Sequence, residues 1–302
     1  VGKAVVLLGK NTVKEMVVAG ALKRSFEGIQ EQGFSVEAYW LHSVGVAITS
    51  RILAFPLDQK AWTPQHRKEF EEHQLSAGAQ EALKELCLWE KLKFPPTSDP
   101  FIGGMMHDIG KVALIQSYPG LYPIIIDKLK RENWNISMRA VEHLVAGGAH
   151  HNMVGQILSE SWKLGDMLTK VIENHHTPPA DDPFCQLITL ADFAGGYIYP
   201  YPKDSEYPMA KILREEGMQA DAEPPEAMAT TSPAADRGEE GEQSNDAEPG
   251  SASGLTPGAA VYNFLPPHLL QRLDIDINKL ITAARHIKPT VERLTEEIRK
   301  SA

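Results

Sequence analysis

Residues 103–111 read Gly-Gly-Met-Met-His-Asp-Ile-Gly-Lys, and this stretch decides how the chain is interpreted. The surrounding pattern predicts a helix over 103–116, on which His107 and Asp108 are neighbours about 100° apart around the axis. A buried imidazole or carboxylate is costly unless it finds a partner. His107 and Asp108 can therefore flank one cation, and the carboxylate is free to bridge to a second. The glycines on both sides permit the close approach of another helix.

Further histidines and acids lie on or beside the apolar stripes of other predicted helices. They are His42, His151, His175, His176 and Asp192. Taken singly, each is interpreted as a hydrogen-bonded core residue or a helix-end group. Taken together, they predict a divalent transition metal as the partner that all of them share. Imidazole and carboxylate without thiolate favour one or two ions of Fe, Mn, Zn, Ni or Co over a structural Cys-rich zinc site.

The remaining histidines are not assigned to this set. Surface positions are predicted for four of them, which lie in polar or terminal segments: His66, His73, His268 and His286. His143 and His150 are left open. His150 faces a different direction from His151 and is a candidate for supporting a ligand from behind.

The spacing of apolar residues predicts an all-α fold, because they recur every three or four residues and no alternating run argues for a sheet. Helices are predicted after the Asn11-Thr12 cap, over about 35–52, once or twice within 56–98, and over 103–116, 121–133, 137–146, 149–162, 166–176 and 183–199. Two more short amphipathic helices are predicted near the end of the chain, and Pro289 is expected to separate them.

Composition divides the chain into three parts. Residues 1–199 are predicted to form a helical domain, 200–258 an acidic disordered linker rich in Pro, Gly, Ala and Ser, and 259–302 C-terminal helices that pack on the domain. Between Glu215 and Glu248 there are eleven acidic residues and one base, which accounts for the whole net charge of −10. The remainder is electrically balanced, so no direct DNA binding is expected.

The cysteines and the hydropathy predict a cytoplasmic protein. Cys87 and Cys185 are isolated along a chain of 302 residues and give no disulfide framework, which is typical of a reducing compartment. No apolar run approaches the ~18–20 residues of a membrane span, so no membrane association is expected. Because Val1 lies within a predicted helix and no initiator Met precedes it, the chain is interpreted as a fragment whose natural start lies upstream.

Several stretches, taken in order, carry a family resemblance. They are Ala4–Gly9, Trp40–Ser43, Phe101–Lys111, His151–Gly155, Ser161-Trp162, Val171–His176 and Leu190–Asp192. Across about residues 1–199 the chain resembles the HD-domain metal-dependent phosphohydrolases and, more finely, the HDOD family of bacterial signal-output domains. The resemblance implies an HD-domain-like helical bundle. It also implies two metal sites, one held by His42, His107, Asp108 and Asp192, and one held by Asp108, His151, His175 and His176, as in the related HD-GYP phosphodiesterases.

Two functions follow from this resemblance as hypotheses. The favoured one is a signal-transduction output domain that binds signalling proteins or a nucleotide, with a homodimer as a further expected assembly. The alternative is a phosphohydrolase or phosphodiesterase for a nucleotide or cyclic dinucleotide. In that enzyme Asp108 would bridge two ions that activate water, and Lys111 would steady a phosphate oxygen. HD-GYP enzymes carry an acidic residue and a Gly-Tyr-Pro segment after the histidine pair. Here Thr177-Pro178-Pro179 follows it, so cleavage of cyclic-di-GMP is not expected.

Overall fold

The computed structural model describes residues 34–56, 60, 62–93, 99–132, 136–199 and 265–301. Three features of the sequence lie outside these residues. They are the stretch Ala4–Gly9, the helix predicted after Asn11-Thr12 and the acidic linker predicted over 200–258.

The described residues form thirteen helices and no β-strand, which confirms the all-α class. The helices are α1 (Val36–Leu53), α2 (Pro64–His73), α3 (Ala77–Leu86), α4 (Leu88–Leu92), α5 (Pro100–Met106), α6 (Ile109–Ser117), α7 (Leu121–Arg131), α8 (Met138–Val145), α9 (His151–Ser161), α10 (Asp166–Asn174), α11 (Pro183–Ile198), α12 (Pro267–Leu273) and α13 (Ile277–Ser301). None of the described helices combines the length and the apolar character that crossing a bilayer demands.

Helix α1 lies at the centre of the bundle and packs against α5, α11 and α13. Its first turn is capped by the hydroxyl of Ser35, which accepts a hydrogen bond from the Ala38 amide. Its contact with α5 depends on Gly104, because a Cβ at that position would lie 2.7 Å from the Cα of Ala47. The glycine beside the His-Asp pair thus allows α5 to approach the backbone of α1.

The helix predicted over 103–116 is in fact two helices, α5 and α6, which meet at His107 and Asp108. Asp108 has φ −100° and ψ 9°, outside the α-helical region, so the helix is interrupted at this residue. The start of α6 is held against α9 by Gly110, where an added Cβ would overlap the carbonyl oxygen of His151. Tertiary packing therefore interrupts a segment whose local pattern is continuous.

The predicted break at Pro289 was wrong, since α13 continues through this proline from Ile277 to Ser301. A proline inside a helix removes one hydrogen bond and costs about 3 kcal/mol. Apolar residues on both sides of the proline offset this cost, because Ala284, Ile287 and Val291 are all buried in the core. Helix α13 packs on α1, α3 and α11, while the domain boundaries drawn from composition stay a prediction.

The described residues of the segment 56–98 form three helices, α2, α3 and α4, rather than the one or two predicted. His73, at the end of α2, was predicted at the surface and is instead fully buried, with its ring 5.8 Å from that of Phe55. Burial, together with the positive charges of Arg51 and Arg293, lowers the pKa of His73 to about 3. The guanidinium of Arg293, on α13, donates to the backbone carbonyls of Glu72 and His73. Contact with the distant C-terminal helix explains why this polar segment has a buried end.

Candidate metal centre

The Asp108 carboxylate lies at the middle of the site and is 1% exposed. Its Oδ2 atom is 3.3 Å from His107 Nε2 and 3.7 Å from His42 Nε2. Its Oδ1 atom faces the other way and is 3.4 Å from His151 Nε2 and 3.5 Å from His175 Nε2. One carboxylate thus presents one oxygen to each of two groups of histidines.

The first group consists of His42, His107 and Asp192, from helices α1 and α11 and from the junction of α5 and α6. Asp192 Oδ1 lies 3.2 Å from His42 Nε2 and 3.5 Å from His107 Nε2. Each ring is oriented from behind by a backbone carbonyl. His42 Nδ1 donates to Tyr199 O at 3.1 Å, and His107 Nδ1 donates to Gly104 O at 2.7 Å. Because carbonyls only accept, both rings direct an Nε2 lone pair into the site when neutral.

The second group consists of Asp108, His151, His175 and His176, whose candidate ligand atoms all lie within 4.8 Å of one another. His175 Nδ1 donates to Ile172 O at 3.0 Å, so its Nε2 faces Asp108. His176 is half-buried, and its Nε2 lies 3.1 Å from His151 Nε2. The end of α10 and the start of α9 therefore converge on the Asp108 oxygen that the first group does not face.

The residues present fit a divalent metal. Three buried atoms of the candidate ligands make no hydrogen bond within the described residues, namely His107 Nε2, His175 Nε2 and Asp108 Oδ1. Buried polar atoms without partners are rare, and these three are directed toward the centre of the site. Nitrogen and carboxylate oxygen are also the donors that Mn, Fe, Ni, Co and Zn accept. The structure thus contains buried His/Asp groups that could hold a metal ion.

Charges are distributed unequally across the site. Burial opposes ionisation of Asp108, but the Lys111 ammonium, 2.5 Å from Oδ2, and His107 outweigh it and hold the pKa of this carboxyl well below its ordinary value. Burial also opposes the charged form of His107, yet Asp108 and Asp192 raise the pKa of His107 to about 10.

Two rings of the second group, those of His151 and His176, are neutral imidazoles. Burial, reinforced by Lys111, lowers the pKa of His151 well below its ordinary value, and burial with His175 does the same for His176. Both rings are therefore neutral near pH 7 and keep the lone pairs that ligation requires.

Reasoning from the sequence missed Glu142, a fully buried residue on α8. Its Oε2 atom accepts hydrogen bonds from His151 Nδ1 at 2.5 Å and from the His151 amide at 2.9 Å. Burial raises the pKa of Glu142 to about 7, although Lys111 opposes the shift. One signal was available, because Glu142 directly follows the buried Val141 and lies four residues after Met138, on the apolar side of its helix.

His150 caps a helix, and among the described residues its ring makes no hydrogen bond to a candidate ligand. It is the N-terminal cap of α9, where its Nδ1 accepts from the Met153 amide, and its side chain is only partly buried. Burial and the nearby Arg139 lower the pKa of His150. The supporting position beside His151 belongs to Glu142 instead.

The structure brings together every residue that the sequence proposed for the site. The seven are His42, His107, Asp108, His151, His175, His176 and Asp192, and Lys111 joins them through its ion pair with Asp108. Their assignment as metal ligands, and of Asp108 and Lys111 as catalytic residues, stays a prediction. Of the four histidines set aside as surface residues, His268 and His286 are exposed and His66 is partly buried, so only His73 was misplaced.

Comparison with known proteins gives one finding. The family model of the HDOD domain matches residues 1–62 and 59–178, which together span more than half of the chain. Neither the curated proteins nor the solved structures include a significant match. The matched ranges contain the His107-Asp108 pair and the histidines from His42 to His176. The chain therefore belongs to the HDOD family, a branch of the HD-related superfamily.

Proposed function

We propose that this chain is a signal-transduction output domain of HDOD type that has an intact two-ion HD metal centre. One observation carries the proposal: the two oxygens of Asp108 face two separate groups of histidines. A carboxylate placed in this way is suited to bridge two cations. The helices that would surround these cations come from distant parts of the chain. Family membership supports the output role, and the buried donors support the metal centre.

The centre would couple ion binding to the arrangement of helices. Its donors come from α1, α9 and α11, from the α5–α6 junction and from the residues that follow α10. An ion that binds this folded arrangement and not the unfolded chain stabilises the whole set. We expect the surface of this metal-stabilised arrangement to bind a signalling protein or a nucleotide in the cytoplasm of a bacterium. The homodimer expected from the sequence is a second way of presenting that surface.

A metal-dependent phosphohydrolase acting on a nucleotide or cyclic dinucleotide is the second candidate. Completeness of the donor set favours it, as does the partial exposure of Asp192, whose side chain is 20% accessible beside otherwise buried neighbours. Two bound divalent ions would supply Lewis acidity toward a phosphate group. Lys111 would hold a positive charge at Asp108 Oδ2, and the carbonyls behind the histidines would keep their lone pairs directed inward.

Elemental analysis combined with a turnover panel tests both candidates. The purified chain is loaded with Mn, Fe or Ni, and phosphodiesters and nucleotides are offered to the wild type and to Asp108→Ala. Asp127→Ala is the matched control, because Asp127 lies on α7, is largely exposed and forms an ion pair with the exposed Arg131. About one to two ions per chain with no turnover supports the output domain. Turnover lost only in Asp108→Ala supports the enzyme, and absence of metal after reconstitution refutes the centre.

A further inference from the structure

Glu142 occupies an unusual place behind the candidate metal centre. It is fully buried on α8, and a single oxygen, Oε2, accepts from both the ring Nδ1 and the backbone amide of His151. Its second oxygen, Oε1, is buried and makes no hydrogen bond within the described residues. A buried carboxylate with one unsatisfied oxygen is costly for the fold, so stability alone does not account for it.

The turn between α8 and α9 brings Glu142 to this position. Gly147 and Gly148 have φ values of 63° and 96°, a region that residues with a Cβ rarely adopt. The turn is closed by the Gly148 amide, which donates to His143 O at 2.8 Å, and by His143 Nδ1, which donates to Gly148 O at 2.8 Å. The chain thereby reverses within a few residues, and the start of α9 lies over the carboxylate.

The two nitrogens of His151 have competing partners. With its proton on Nδ1, the ring donates to Glu142 and leaves the Nε2 lone pair directed toward Asp108 Oδ1. With its proton on Nε2, the ring would instead donate to His176 Nε2, which is 3.1 Å away. That second tautomer would occupy the lone pairs of two candidate ligands at once. The acceptor at Nδ1 decides which tautomer is present.

We infer that Glu142 is a positioning residue that holds His151 in the Nδ1–H tautomer and so keeps the His151/His176 side of the centre open to a cation. The inference rests on the proposed metal centre for its consequence, but the tautomer itself is a property of the metal-free protein. Acceptors of this kind behind a histidine ligand typically change metal affinity by about 10–100-fold when removed.

Imidazole ¹⁵N shifts of the metal-free full chain provide the test, with His151 assigned from a His151→Gln spectrum. The wild type is expected to show a protonated Nδ1 and an unprotonated Nε2. Glu142→Leu removes the acceptor and is expected to shift the signals toward protonated Nε2. Glu142→Gln, whose amide oxygen still accepts, is expected to restore the wild-type pattern. Glu160→Gln, a neutralisation on the exposed side of the same α9, is the control and leaves the pattern unchanged.

Manganese binding of the same variants measures the consequence. We expect Glu142→Leu to weaken the affinity of the chain for Mn²⁺ by about 10–100-fold and Glu160→Gln to leave it unchanged. A wild-type chain with the expected tautomer but no Mn²⁺ binding would refute the metal centre and leave the positioning role intact. A wild-type ring protonated on Nε2, or a Glu142→Gln chain that folds yet lacks the Nδ1–H pattern, would overturn the positioning role even if Glu142→Leu fails to fold.

Discussion

Gly110→Ala is the substitution that most directly tests how the site is assembled. Gly110 lies in the first turn of α6, where an added methyl would overlap the His151 carbonyl oxygen and lie 2.6 Å from the Gly155 nitrogen. These are backbone atoms, so no side-chain rotation relieves the overlap, and α6 must separate from α9. Overpacking of this kind costs up to about 3 kcal/mol. Replacing Gly by Ala in a helix returns at most about 1 kcal/mol.

The net expectation is a loss of about 2 kcal/mol in the free energy of unfolding, which lowers Tm by about 4–8 °C. Separation of α6 from α9 also moves His151 away from Asp108, so Mn²⁺ binding weakens in parallel. Gly196→Ala is the matched control for stability. Gly196 lies within helix α11, and its added Cβ would have only His42 Cε1 within reach, at 4.0 Å, which is an ordinary van der Waals contact. Circular dichroism during heating and urea unfolding measure both variants. Equal stability of the two would refute the claim that backbone contact at Gly110 sets the position of α9.

Three further predictions concern the metal, the acid response and α13. Asp108→Ala should abolish loading, so the increase of about 2.7 kcal/mol that Mn²⁺ at 100 times its Kd gives the wild type disappears; an unchanged melting curve with metal would count against the bridging role. The pKa of His73 falls to about 3 in the folded protein, so the unfolded chain binds more protons between pH 6.5 and 3. The free energy of unfolding therefore decreases by about 1.4 kcal/mol for each pH unit as the pH falls through this window. Urea unfolding at several pH values should show that the free energy of unfolding of His73→Leu depends less steeply on pH than that of the wild type. An identical pH dependence would exclude His73 as its source. Pro289→Ala should stabilise α13 by up to about 3 kcal/mol with no change in helicity, whereas a loss of stability would show that the proline is needed for packing.

The site was readable from the sequence because its residues conflict with their local pattern. His151 and His175 each lie on the apolar face that a predicted helix buries, and a buried imidazole needs a partner. Such a conflict identifies candidate residues without their coordinates. Glu142 carries the same signal, since it follows the buried Val141, but its partner is a histidine nine residues away around a glycine turn. A contact of that kind depends on backbone geometry that the spacing of apolar residues does not encode.

Errors in the sequence-based prediction share a single physical origin. The break between α5 and α6 exists because Gly110 contacts α9, and the burial of His73 exists because Arg293, 220 residues further along, caps the end of α2. The continuity of α13 through Pro289 reflects apolar contacts with α1, α3 and α11. In each case a long-range contact outweighs a local preference of a few kcal/mol.

By itself, the sequence determined that this chain is helical and that buried histidines and acids require partners. Periodicity and residue type are local properties, and they suffice for those two conclusions. The family was indicated by the resemblance of ordered motifs and shown by the match of the HDOD model. Only the tertiary structure decided that Asp108 divides its two oxygens between two groups of histidines and that Glu142 lies behind His151. Those relations depend on distances between atoms that are far apart along the chain, and packing of the helices is what sets such distances.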